Sequence, residues 1–345
     1  FIVVLGLAFR APLLSFIFGK VDADVMENSM VYFFYTVLSY PFIALYDAGA
    51  SIFRAQENTR GPMVISIISN VMNIVGNGIL IWVFHMGVAG AAISTLVSRI
   101  FCAVVVLYQL RKNRQPIVVR DYLKIRPDGK MIGRILALGI PSGIENSMFQ
   151  LGKLAIQSTV STLGTTAIAA QAMTNMLEML NGTAVIGVGI GLMTVVGQSL
   201  GAGRKDEAVY YMKKLMIFSE VFLIACCAVV YVLARPITMI GGMEAKSAEM
   251  CLDMMFWITI VKPIVWMFAF IPAYGMRAAG DVKFSMITSC ITMWTFRFCL
   301  CVYLIRVCGM GPMAVWIGMF TDWTVRAIVF GLRFKSGKWM EHKVV

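Results

Sequence analysis

The chain has 345 residues, of which 59% are hydrophobic and only 14% charged, and its mean hydropathy is +0.80. Soluble domains carry about a quarter charged residues and are roughly half apolar, so the composition excludes a soluble fold and assigns the chain to a lipid bilayer. A net charge of +12 is compatible in principle with nucleic acid, but the charges fall in alternate loops, which is a membrane pattern.

In chain order, apolar segments long enough to span a bilayer cover about 1–18, 30–53, 62–84, 87–110, 133–160, 166–199, 215–238, 250–274, 284–308 and 311–333. They lack period-two alternation, so helices are predicted and a β-barrel is not. Arg54 and Arg60 follow the second segment. Arg111, Lys112, Arg114, Arg120, Lys124, Arg126, Lys130 and Arg134 crowd the connector after the fourth, and Arg333, Lys335, Lys338 and Lys343 the tail. The intervening loops hold acids such as Asp22, Asp24, Glu27, Glu244 and Glu249. The positive-inside rule then puts connector and C-terminus in the cytoplasm of a multi-pass protein of the inner (plasma) membrane. No nucleic-acid partner is expected. The cysteines sit in or beside apolar segments without zinc-ligand spacing, and histidine occurs only at His85 and His342. No cofactor and no enzymatic activity are expected, since a catalytic constellation is lacking.

The chain repeats itself at an offset of about 223 residues. Phe53-Arg54-Ala55, followed by Glu57 and Met63, returns as Met276-Arg277-Ala278, followed by Asp281 and Met286. Residues 133–223 have no earlier partner, which leads us to expect that about 90 residues of a first copy precede Phe1 and that residues 1–345 alone are inactive. A unit of six crossings returns the chain to its starting side, so the copies run parallel, as in alternating-access transporters. The expected organisation is an incomplete four-helix lobe at 1–110, a cytoplasmic linker at 111–132, a six-helix lobe at 133–334 and a tail at 335–345.

Polar residues inside spans mark the candidate site, because their burial in lipid is costly. Asn146, Gln150, Lys153 and Gln157 form one helical stripe, with Glu145 beside it; Gln171, Asn175 and Glu178 repeat the rhythm. Either stripe can line a water-filled cavity or glue helices together. Glu145, Glu178 and Asp47 are the candidate coupling carboxylates, able to exchange a proton or to ligate sodium at Glu145 or Glu178. Asp322 and Arg326, with Arg297, are read as structural charges that neutralise one another. Arg54 and Arg277, each with an acid three or four residues on, are expected to stabilise equivalent turns, Glu220 to snorkel towards Lys213 and Lys214, and Gly187 and Gly191 to form a close-contact face.

Several motifs stand along the chain: Val196-Gly197-Gln198-Ser199-Leu200-Gly201-Ala202-Gly203 with Asp206-Glu207-Ala208, Phe53-Arg54-Ala55 with Pro62-Met63, Asn73-Ile74, and Gly87-Val88-Ala89-Gly90-Ala91-Ala92. Gly139-Ile140-Pro141-Ser142-Gly143 and Met276-Arg277-Ala278-Ala279-Gly280-Asp281 complete the series. Together they resemble the multidrug and toxic compound extrusion (MATE) transporters. The resemblance implies a twelve-helix, all-α polytopic architecture of two parallel-repeat bundles, with the segments here as helices three to twelve. It also implies a monomeric antiporter that exports small organic cations or amphipathic drugs, driven by proton or sodium influx. A flippase for lipid-linked saccharides or lipids is the alternative within the same superfamily.

Overall fold

The computed structural model describes residues 2–18, 23–112 and 128–341. Among them the chain is helical without strands. The helices are α1 (Ile2–Ala8), α2 (Arg10–Phe18), α3 (Ala23–Leu38), α4 (Tyr40–Ala55), α5 (Arg60–Gly78), α6 (Gly87–Leu110), α7 (Gly129–Val160), α8 (Thr165–Gly201), α9 (Lys205–Ile240), α10 (Ala245–Ala278), α11 (Val282–Thr292), α12 (Leu300–Arg306) and α13 (Met313–Lys335). Two π-helical turns, Ile79–Val83 and Met293–Cys299, extend α5 and join α11 to α12.

Among the described residues, eight stretches are long and apolar enough to cross a membrane. The first expected segment is described over residues 2–18 as α1 and α2, with backbone hydrogen bonds from Phe9 to Leu5 and from Leu13 to Phe9 continuing across the break. The fifth becomes α7, 32 residues long, whose polar stripe keeps it below the apolarity of its neighbours. The second segment breaks at Ser39, where Pro41 lacks the amide needed to continue the preceding helix. Most of the expected linker, residues 113–127, and the end of the tail, residues 342–345, lie outside the described residues. Helix α7 starts inside the expected linker rather than at 133, because the Asp128 carboxylate caps it, accepting from the backbone amides of Lys130 at 2.8 Å and Met131 at 3.3 Å.

The chain divides into two compact units, Phe1–Arg126 and Pro127–Val345. In the first, α6 packs on α3, α4 and α5 around Phe53, Ile65, Cys102, Val106 and Leu110. A Cβ on Gly49 would lie 2.1 Å from Val106 Cγ1, so only glycine allows this approach of α4 to α6. Short hydroxyls and amides join α5 to α6: Ser69 donates to the Ser98 carbonyl (3.1 Å), Ser94 to the Asn73 carbonyl (3.0 Å) and Asn73 to Thr95 (3.2 Å). Such bonds replace the hydrophobic drive that helices lose in lipid.

In the second unit α8 packs against α9 and α10, α10 against α13, and α7 against α11. The core includes Leu177, Leu192, Met212, Leu223, Trp316 and Trp323. Gly187 and Gly191 do not form a contact face: a Cβ at either would meet nothing within 4 Å. The close approaches belong to Gly189, against Tyr274, and Gly275, against Met212.

The repeat is visible in its helix ends. In α10 the amide of Asp281 donates to the Met276 carbonyl (2.9 Å) and Gly280 to the Arg277 carbonyl (3.1 Å), with Gly280 at φ +87°. At the end of α4, Asn58 donates to Phe53 and Glu57 to Arg54, both at 3.0 Å, with Glu57 at φ +64°. The same six-residue cap therefore closes both copies. It pairs Glu57 with Gly280 and Asn58 with Asp281, one residue away from the Glu57–Asp281 match read by eye.

Candidate functional site

The intramembrane charges of the second unit are paired across helices in ways that spacing along the chain does not disclose. Glu178 on α8 accepts from Nζ of Lys262 on α10 at 2.6 Å. The same Nζ donates to the Glu178 backbone carbonyl at 3.0 Å and lies 5.3 Å from the Trp266 ring centre. Gly182, one turn further along α8, has its Cβ position 3.4 Å from that Nζ, at contact distance. The Lys262 side chain has no exposure, whereas that of Glu178 retains 21%. Sequence reading did not single out Lys262. Its signal was a lone lysine in the apolar run 254–272, but no local spacing could link it to an acid 84 residues away.

Glu145 on α7 is buried, and its Oε1 accepts from Nη2 of Arg277 at 2.7 Å. Arg277 thus serves Glu145 and not the nearby Asp281, which instead accepts from Arg333 Nε at 2.8 Å. Arg277, expected to stabilise the turn that follows it, thus reaches across to α7 instead of pairing with the acid four residues on. Arg54 in the first unit donates to Ser51 Oγ at 3.1 Å. Asp47 is exposed on α4, and its backbone carbonyl accepts from the Ser51 hydroxyl.

The two amide stripes have different surroundings. On α7, Asn146, Gln150, Lys153 and Gln157 are all exposed, and Asn146 donates to the Ser142 carbonyl of its own helix at 2.9 Å. On α8, Gln171 is buried, donates to Asn175 at 3.2 Å and accepts from the Trp316 indole N–H at 3.2 Å. Gln171 therefore ties α8 to α13. The α7 stripe faces outward from its unit, and polar groups on a spanning helix avoid lipid by facing water or protein.

Arg297, Asp322 and Arg326 come together, but unequally. Arg326 Nε is 2.8 Å from Asp322 Oδ1, and its other nitrogens donate to Ser289 Oγ and the Ser289 carbonyl at 3.0 Å. Arg297 comes no nearer than 4.0 Å to Asp322. Glu220 is half-buried on α9 with Oε2 unpartnered, and no ion pair to Lys213 or Lys214 forms among the described residues. No group of three or more metal-ligating side chains is assembled among the described residues.

A polytopic helical membrane protein that keeps several ion pairs and an outward amide stripe inside its spans has the build of a solute transporter. The MatE family model matches residues 1–79 and 141–303. The chain belongs to this family, whose members are membrane transporters and not enzymes. It is 25% identical over 343 residues to a protein named "Probable multidrug resistance protein NorM" of Thermotoga maritima, covering 95% of this chain and 71% of that one. It is also 25% identical to the "Uncharacterized transporter YisQ" of Bacillus subtilis, covering 96% and 73%. Among solved structures, an outward-facing multidrug resistance MATE family transporter of the MOP superfamily superposes with a TM-score of 0.85 over 98% of this chain and 76% of that one. A MOP superfamily transporter from Pyrococcus furiosus gives 0.86 over 99% and 76%. Both are 18% identical, so they establish the fold.

Proposed function

We propose that the chain works in a multidrug efflux antiporter, in which amphipathic organic compounds leave by alternating access as protons or sodium ions enter. The buried Glu178–Lys262 pair carries this reading. A carboxylate that holds a fully desolvated ammonium on one oxygen and keeps partial exposure is charge-balanced at rest and still within reach of an arriving cation. An arriving proton, sodium ion or cargo amine competes with Lys262 for Glu178, and ligands that exclude one another at one site are what exchange transport requires. Glu145, held by Arg277, is the second coupling carboxylate, and Asp47 the candidate in the first unit. The exposed stripe of Asn146, Gln150, Lys153 and Gln157 is the cargo-facing wall of the second unit, and Gln171 and Asn175 support it from α8. The multidrug resistance name of the Thermotoga maritima relative supports drug-like cargo. Inner-membrane location, a cytoplasmic C-terminus and a monomeric state belong to the same proposal.

The test is efflux of ethidium from proteoliposomes under an imposed proton or sodium gradient. Glu178→Gln is expected to lower gradient-driven efflux at least tenfold, and Glu145→Gln is measured separately. If both variants retain the gradient dependence of the parent, the carboxylate assignment is wrong.

A further inference from the structure

Helix α10 carries charge on two opposite faces. Lys262 reaches Glu178 on α8 and is buried. Asp253 stands nine residues earlier, about two and a half turns at 3.6 residues per turn, and so on the other side of the helix. It is exposed and makes no ion pair or hydrogen bond among the described residues. Trp257, Ile260, Ile264 and Phe268 continue from it down the same face, and all are exposed. An open apolar stripe on a spanning helix is the side it turns to lipid. One carboxylate therefore stands at the head of a track for acyl chains.

That carboxylate belongs to a pocket of about 360 Å³ between α10 and the start of α13, lined also by Met250, Trp257, Pro312 and Met313. Phe256 packs edge-on against Trp257 at 5.7 Å between ring centres and meets Tyr231 of α9 at 6.3 Å. Exposed tryptophan and tyrosine collect where a bilayer meets water, so this aromatic row sets the pocket at headgroup level. The length of the helix agrees. At 1.5 Å per residue the 34 residues of α10 span about 51 Å, which is about 10 Å beyond a hydrocarbon core of about 30 Å at each end. Asp253, eight residues in from Ala245, lies about 12 Å from that end. Glu249 and Lys246 follow on the same face towards the helix start, both exposed, so the face carries both signs of charge.

A primary ammonium fits this setting. The carboxylate accepts its N–H groups, Trp257 offers the aromatic face that attracts cations best, and the methionines are polarisable. A soluble cation leaves the apolar stripe unused, whereas an amine phospholipid joins ammonium, phosphate and acyl chains in one molecule. We propose that Asp253 and Trp257 bind the ammonium of phosphatidylethanolamine from the adjoining leaflet, with its acyl chains along Ile260, Ile264 and Phe268. The site is on the lipid side of α10, away from the Glu178–Lys262 pair, and does not depend on what the chain transports.

The experiment titrates the purified chain in detergent with phosphatidylethanolamine, phosphatidylcholine and phosphatidylglycerol of identical acyl chains, and resolves each bound lipid by native mass spectrometry. Phosphatidylcholine has the same net charge as the amine lipid but no N–H donors. Phosphatidylethanolamine is expected to bind about tenfold tighter than phosphatidylcholine. Asp253→Asn is expected to bring that ratio to within about threefold of unity, and Asp253→Glu to keep most of it. Trp257→Leu weakens binding of both lipids about threefold. Asp253 is exposed, so its variants are expected to unfold at the temperature of the parent. Equal affinities in the parent, or an unchanged ratio in Asp253→Asn, overturns the proposal. Phosphatidylglycerol binding as tightly as the amine lipid also overturns it, by assigning the surface to anionic lipid. Displacement of the lipid by glycerophosphoethanolamine or by tetraphenylphosphonium at equal concentration overturns it in favour of a soluble cation.

Discussion

Removing either partner of the Glu178–Lys262 pair must have unequal consequences, because the two groups are not equally buried. At 2.6 Å, and with an effective dielectric of about 20, the gross attraction is about 6 kcal/mol. Desolvation of an ammonium with no exposure offsets several kcal/mol of this. Glu178→Gln leaves that ammonium without its anion. Only the Glu178 backbone carbonyl at 3.0 Å and the Trp266 face remain, so the expected cost is about 3–5 kcal/mol. Lys262→Met leaves a carboxylate that is still 21% exposed and can reach water or take a proton, so the cost falls to about 1–3 kcal/mol. The double variant removes both charges and restores stability to within about 1 kcal/mol of the parent, because a buried pair is readily replaced by groups of similar volume. The cycle therefore predicts a coupling of about 3 kcal/mol or more, measured by thermal unfolding and denaturant titration in detergent. Additivity within about 0.5 kcal/mol would mean that the two groups do not depend on each other, and the reasoning behind the coupling site would fall with it.

The helix caps give a second test: Gly280→Ala at φ +87° costs about 1 kcal/mol, whereas Glu57→Gly at φ +64° is neutral or stabilising by up to about 1 kcal/mol, both read as shifts in Tm. A destabilising Glu57→Gly would contradict the shared cap. Gly318→Ala meets the Arg297 backbone oxygen at 2.9 Å and should cost about 1–3 kcal/mol, while Gly152→Ala meets the mobile end of Met293 and should cost less than about 1 kcal/mol. Equal costs at the two glycines would contradict the close approach at Gly318. In intact cells, a membrane-impermeant maleimide should label the exposed Cys308 from outside, whereas a cysteine at the exposed Ser336 should react only after permeabilisation. Reversed labelling would invert the proposed topology.

Much of the architecture can be read along the chain because each spanning helix satisfies its own backbone, so lipid acts on segments one at a time. The bounds of α6 and the end of α7 fall at the residues predicted from hydropathy. The start of α7 escapes that criterion, because an aspartate cap is polar and resembles linker. The division of the first segment into α1 and α2 escapes it too, since apolarity is the same on either side of Phe9. Small residues misled in a similar way: Gly187 and Gly191 have the right spacing for a contact face, but Gly189 and Gly275 occupy the contacts, because which side of a helix faces a neighbour is set by its packing.

The bilayer as solvent, the helical class, the internal repeat and the family motifs are legible along the chain, because they depend on composition and short-range order. The same reading marks Glu145, Glu178, Arg297, Asp322 and Arg326 as charges too costly to sit in a span without purpose. Their partners were set by how the helices pack. Lys262 reaches Glu178 from 84 residues away, and Arg277 reaches Glu145 from 132, bypassing nearer acids. Electrostatic energy depends on separation in space and on burial, and neither can be read from distance along the chain. For the same reason Asp322 is shared unequally by its two arginines, with Arg326 at 2.8 Å from Oδ1 and Arg297 at 4.0 Å from Oδ2.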